Sequence, residues 1–121
     1  MKKVLIATIC KATSTALSNS LSRYEVHICS SGTDALHLIE TVRPDILILD
    51  LMLPYMDGIT VLRESKFRPP IILAQTNFIS AAVLQAAAEV GVQDLLITPS
   101  TVRYIVDRLN TLTEKVPSLK V

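Results

Sequence analysis

Asp45-Ile46-Leu47-Ile48-Leu49-Asp50-Leu51-Met52-Leu53-Pro54, closed by Met56-Asp57-Gly58, is the stretch on which the fold turns. Ile46 to Leu49 run without a polar break into a carboxylate, and turn residues follow at once. A continuous apolar run of this length suits a strand covered on both faces, as in a parallel sheet. In open α/β sheets, ligands and chemistry gather beyond the carboxyl ends of the strands. Asp50 is therefore the first candidate functional residue, and the rest of the chain decides what surrounds it.

Working outward, similar runs cover residues 3–8, 24–29, 70–75 and 94–98, with 45–50 as the third of five. The second alternates, with Val26 and Ile28 on one side and Glu25 and His27 on the other, which suits an edge strand. Between the runs lie helical patterns. Ala35, Leu38, Ile39 and Val42 recur at helical spacing, as do Val83, Ala86, Ala87 and Val90, and Val102, Ile105, Val106 and Leu109. Leu17 and Leu21 mark a thin stripe for a first helix, and residues 58–64 a short third one. Ser31-Gly32 predicts a cap for the second helix, Asp57 a cap for the third, Gly58 its turn, Gly91 the end of the fourth and Pro117 the end of the fifth. Five β-α units with right-handed crossovers make a flavodoxin-like, doubly wound parallel sheet of order 2-1-3-4-5 with five helices, an α/β fold. Residues 1–116 are expected to form the domain, and 117–121 a C-terminal tail or the start of a linker.

Composition narrows the function. The chain has 121 residues, half of them hydrophobic, and a formal net charge of +1. That suits one globular domain, with no basic run for nucleic acid and no apolar segment of membrane-span length. No secretory signal is evident, so a cytoplasmic protein is expected. Cys10 and Cys29 form no spaced motif. With His27 they lie near the ends of neighbouring strands, so a soft-metal or redox site is weighed there against simple reduced thiols. His37 falls on a helix surface.

The residues around Asp50 carry a family resemblance. Pro44 to Pro54 with Met56-Asp57-Gly58 resembles the phosphoacceptor segment of response-regulator receiver domains. Pro70-Ile71-Ile72-Leu73 is similar to that family's fourth strand, and Gly91-Val92-Gln93-Asp94 leading to Thr98-Pro99 to its fifth strand and terminal Lys-Pro pair. The resemblance implies that Asp50 accepts a phosphoryl group from a histidine kinase or phosphotransfer protein. It also implies two acids at the end of strand 1 that hold Mg²⁺ with the acceptor and the backbone at Met52, a Thr or Ser ending strand 4, a lysine ending strand 5, and a cis-proline at Pro99. Such catalysis is mostly positioning and charge stabilisation.

The sequence departs from that pattern. Thr8 and Ile9 stand where the acid pair belongs, Gln75 where the Thr or Ser belongs, Thr98 where the lysine belongs, and Leu95 where an aromatic switch residue is usual. Thr76 is next to Gln75 but points to the other face. Lys11 is a candidate charge partner for Asp50, against the reading of a solvated lysine. No cofactor is assigned, and Mg²⁺ is left with a weak ligand set of Asp50 and the Met52 backbone.

The expected function is a receiver-like signalling domain of a two-component or phosphorelay system, not an enzyme, acting through protein contacts. The implied docking surface is helix 4, strand 5 and helix 5, for a homodimer or an effector domain, with Arg103, Tyr104, Asp107 and Arg108 available for pairing across a two-fold axis. A conventional phosphoacceptor switch on Asp50 is the alternative. A small-molecule-binding flavodoxin-like domain is the remote one, since residues 8–16 contain no glycine for a phosphate loop.

Overall fold

A computed structural model describes residues 1–116; the expected tail at 117–121, with Pro117 as a helix stop, lies outside the described residues. The chain alternates β1 (Lys3–Ala7), α1 (Lys11–Ser20), β2 (Glu25–Cys29), α2 (Gly32–Val42), β3 (Ile46–Asp50), α3 (Gly58–Glu64), β4 (Ile71–Thr76), α4 (Ala81–Glu89), β5 (Asp94–Ile97) and α5 (Val102–Glu114). The strands form one sheet in the order β2-β1-β3-β4-β5, with every neighbouring pair parallel. This is the flavodoxin-like arrangement expected from the sequence.

Side-chain alternation along the strands divides the interior into two cores. Val4, Ile6, Ile46, Ile48, Ile71, Leu73 and Leu96 point to the side where α1 and α5 bring Leu17, Ile105 and Leu109. Leu5, Ala7, Leu47, Leu49, Ile72 and Ala74 point the other way, against Ala35 and Ile39 of α2 and Val61 and Leu62 of α3. The central strands are sealed on both faces, which is why they read as unbroken apolar runs. Burying one such Leu or Ile contributes about 1.5–3 kcal/mol.

Edge position explains β2. Val26 packs partly on the α1/α5 side, but Ile28 is 48% exposed, contrary to its expected inward face. β2 has a partner strand on one side only, so its far end lacks the cover that β1 and β3 receive.

Helix starts follow their capping residues. Ser31 accepts a hydrogen bond from the Asp34 amide at 3.1 Å, Ser80 from Val83 and Thr101 from Tyr104. Asp57 accepts from the Thr60 amide at 3.0 Å and from its hydroxyl at 2.8 Å. Burial pushes the Asp57 carboxyl up, but the Thr60 amide and hydroxyl outweigh it and hold the group below its ordinary value. A carboxyl with a lower pKa folded than unfolded stabilises the fold above its unfolded pKa, about pH 4. That contribution is lost as the pH falls through the folded value. Asp57→Ala is expected to lower stability by about 1 kcal/mol at neutral pH and to make thermal stability less steep in pH below about pH 4. Melting curves of both proteins across that range check it.

Gly58 is expected for its turn, but its backbone does not have a positive φ. Its role is space: a Cβ there would lie 2.9 Å from the Asp50 carbonyl oxygen. Its amide donates to the Leu51 carbonyl at 3.0 Å, so α3 starts directly against the segment that carries Asp50.

Candidate functional site

The α1/α5-facing side of the sheet carries the site as its last rung. Val4 and Ile6 lead to Thr8, Ile46 and Ile48 to Asp50, Ile71 and Leu73 to Gln75, and Leu96 to Thr98. Two-residue periodicity puts these four polar side chains on one face. Register brings them together: Asp50 stands opposite Gln75, and the Thr98 amide donates to the Thr76 carbonyl at 2.8 Å. All four line one cleft of about 300 Å³ at the carboxyl edge. Pro99 lines it too, and the Thr98–Pro99 bond is cis, as the family resemblance implies.

Sequence reasoning missed four lining residues as members of this cleft. Cys10 and Thr13 come from the start of α1, Asn77 from the β4–α4 loop and Ser100 from the β5–α5 loop. Their positions just beyond strand ends were legible, but not which loops fold over the site.

Asp50 is half-buried. Its Oδ1 accepts a hydrogen bond from the Met52 amide at 3.1 Å, and the Thr8 hydroxyl approaches Oδ2 at 3.5 Å, the outer limit of such a bond. Thr8 Oγ1 also accepts from the Cys10 amide at 3.2 Å. Gln75 is only 5% exposed. Its side-chain amide makes no hydrogen bond among the described residues, and neither of its polar atoms is sealed from solvent, so it opens on the cleft.

Lys11 does not take the role of charge partner. It is the first residue of α1, exposed, and does not line the cleft. Among the described residues the ion pairs are His27–Glu25 and Arg108–Asp94. Ile9 is 60% exposed and outside the cleft. Leu95 packs against the core on the α2/α3/α4 side, the opposite face from Asp50. Thr76 also lies on that face, beside Leu51 and Val83, and its hydroxyl closes on the Phe78 carbonyl at 3.2 Å.

The two cysteines and His27 do not converge. Cys10 is exposed, and its Sγ receives the Thr13 hydroxyl at 3.2 Å. That hydrogen bond, helped by the Thr13 and Ala12 amides, lowers the thiol pKa. Cys29 is buried in the α2-side core, where burial pushes its thiol up to about 11. His27 pairs with Glu25 at 2.7 Å. No group of three His, Cys, Asp or Glu side chains placed to hold a metal exists among the described residues.

The donor set at Asp50 is a weak one for Mg²⁺. That ion is usually held through one or two carboxylates with near-octahedral geometry. Here a single carboxylate faces hydroxyls, a thiol and two side-chain amides, and one of its oxygens is already engaged by the Met52 amide.

On the α4, β5 and α5 surface, Leu84, Ile97 and Tyr104 are exposed apolar groups. Arg103 and Asp107 are exposed as well. Arg108 is not free for pairing across a two-fold axis, because its Nε donates to Asp94 Oδ2 of the same chain at 2.5 Å.

A sequence model of the response regulator receiver domain matches residues 6–110. The regulatory protein AtoC of Escherichia coli K12 is 32% identical over 104 residues, covering 84% of this chain and 22% of that protein. The response regulator MprA of Mycobacterium avium is 30% identical over 116 residues, covering 91% of this chain and 50% of that protein. The chain thus spans half or less of the length of these curated relatives. A CheY-like receiver domain from Methanospirillum hungatei superposes with a TM-score of 0.85 at 22% identity, over 98% of both chains. The chemotaxis protein CheY4 of Vibrio cholerae superposes at 0.80 with 25% identity, over 93% of this chain and 98% of that one.

Proposed function

The chain belongs to the response regulator receiver domain family, and from that premise we propose that it signals through protein contacts rather than through an efficient aspartyl-phosphate switch. One observation carries this reading: among the described residues, Asp50 is the one charged group lining its cleft. A phosphoryl group placed on Asp50 would add negative charge among hydroxyls, a thiol and two side-chain amides. A counter-charge about 4 Å away contributes on the order of 4 kcal/mol at an effective dielectric of 20, or about a thousandfold in rate. Thr98 and Lys11 supply none of it. The acid pair is replaced by a hydroxyl and an exposed isoleucine, so no step is routed through a metal.

In this reading the contact surface is that of α4, β5 and α5, where Leu84, Ile97 and Tyr104 stand exposed, and the partner is a second copy or an effector domain. The module would work in the cytoplasm and turn over no substrate. A second reading, phosphorylation of Asp50 by a histidine kinase or phosphotransfer protein, is favoured by one feature. Asp50 still ends β3 with its carboxylate held by the Met52 amide.

Incubation with acetyl phosphate and Mg²⁺, followed by intact mass measurement, separates the two. The expected result is an unchanged mass. A gain of one phosphoryl group that disappears in Asp50→Asn would overturn the contact-driven reading.

A further inference from the structure

The cleft over Asp50 presents a carboxylate without a charged partner. Asp50 makes no ion pair among the described residues. The Gln75 amide is deep, without a hydrogen bond among those residues, and directed into the cleft. Its polar atoms are open to solvent, and a ligand entering the cleft must replace the hydrogen bonds that water makes to them. An amide this deep, opening on a cleft beside a lone carboxylate, marks a place where a ligand completes the hydrogen bonding. Thr98 adds a hydroxyl from the end of β5.

The charge of that ligand follows from the lining. Among the described residues no basic side chain lines the cleft. The amides at the start of α1 would ordinarily favour an anion, but Asp50, the one charged group lining the cleft among the described residues, repels it. A divalent metal is poorly served by one carboxylate. An organic cation is well served, because it needs one counter-ion and several neutral acceptors, and a planar guanidinium can meet a carboxylate through two parallel hydrogen bonds. A cleft of about 300 Å³ suits such a head with a short stem. Ile9 and Met52, each 60% exposed on the adjoining loops, offer apolar surface to the stem.

We propose that the cleft binds an organic cation, an alkylguanidinium or alkylammonium head, with Asp50 as counter-ion and the Gln75 and Thr98 oxygens as acceptors, an inference that rests on the contact-driven reading of the same site. The head can belong to a free small molecule or to a side chain of a partner protein, and the chemistry is shared.

The test is a titration of the full, ¹⁵N-labelled chain followed by amide shifts, at constant chloride. Probes are ethylguanidinium, ethylammonium, the peptide Gly-Gly-Arg-Gly-Gly, MgCl₂ and inorganic phosphate. Saturable shifts at Met52, Gln75 and Thr98 with at least one of the two small heads are expected. Binding should weaken about tenfold in Asp50→Asn and about threefold in Gln75→Met. Unchanged shifts of Leu47 and Ile72 in both variants verify the fold. A tighter peptide assigns the source to a protein side chain and a tighter free cation to a small molecule; both support the proposal. Absence of a saturable shift with both small heads, equal affinity in Asp50→Asn, or tighter binding of Mg²⁺ or phosphate overturns it. A phosphoryl mass gain would instead overturn the contact-driven reading, so the two failures are read separately.

Discussion

Restoring four side chains together, as Thr8→Asp, Ile9→Asp, Gln75→Thr and Thr98→Lys, is expected to raise phosphoryl acceptance by Asp50 from acetyl phosphate by about a thousandfold or more. The backbone needs no redesign. Thr8, Asp50, Gln75 and Thr98 already share one face and one cleft, and the Met52 amide already holds Asp50 Oδ1. What the family resemblance implies and this cleft does not present among the described residues is charge: two carboxylates to gather a cation, and one ammonium to face the phosphoryl oxygens. Preorganised charge of this kind contributes about a hundredfold to a thousandfold per group in other active sites. Time-resolved intact mass reads the outcome, and adding Asp50→Asn to the restored protein should abolish the gain. A restored protein that stays unphosphorylated while folded and able to bind Mg²⁺ would show that the deficit lies in the loops rather than in these side chains.

Gly32→Ala is expected to be the most damaging small substitution, with a loss of about 3 kcal/mol and a fall in Tm of about 10 °C or more. A Cβ at Gly32 would lie 1.6 Å from the Met56 carbonyl oxygen, a backbone atom that cannot swing aside. The Gly32 amide also donates to the Pro54 carbonyl at 3.0 Å. The first turn of α2 is therefore nested against the loop that follows Asp50, so the substitution should also shift the Met52 and Leu53 amides. Conformation is not the reason, because Gly32 has an ordinary φ, unlike Gly91 at 87°. A melting curve and an amide spectrum check both effects; a Tm within about 2 °C of the native protein would show that the loop yields easily.

The two experiments touch opposite ends of what the sequence reveals. Strand alternation in Val4-Leu5-Ile6, Ile46 to Leu49 and Ile71 to Ala74 is dictated by burial on both faces, so the five strands, their parallel order and Asp50 at an edge are readable from residue pattern alone. Caps at Ser31 and Asp57 are readable because each is a local backbone interaction within three residues. Element ends shifted by a residue, with Thr8 and Thr98 just outside their strands and Thr76 inside β4, because strand length depends on the neighbouring strand rather than on the strand's own residues. Gly32 was legible only as part of a cap. Its close contact is with Met56, 24 positions along the chain, and no local pattern encodes it.

The candidate site divides in the same way. That Thr8, Ile9 and Thr98 stand where the family resemblance implies an acid pair and a lysine is legible in the sequence, because strand periodicity assigns each position its face. Whether Lys11 turns inward, whether Cys10 joins the cleft, whether Gln75 finds a partner and whether Arg108 is free were decided by tertiary packing. The start of α1 settles the first two, leaving Lys11 outside and Cys10 over Asp50. Asp94 claims Arg108, and nothing among the described residues claims the Gln75 amide. Sequence by itself determined the fold, which follows from local periodicity, and its family resemblance implied which groups stand apart from the usual pattern around Asp50. Only the tertiary structure decided what Asp50 faces instead, because that depends on loops from separate strands meeting over one edge of the sheet.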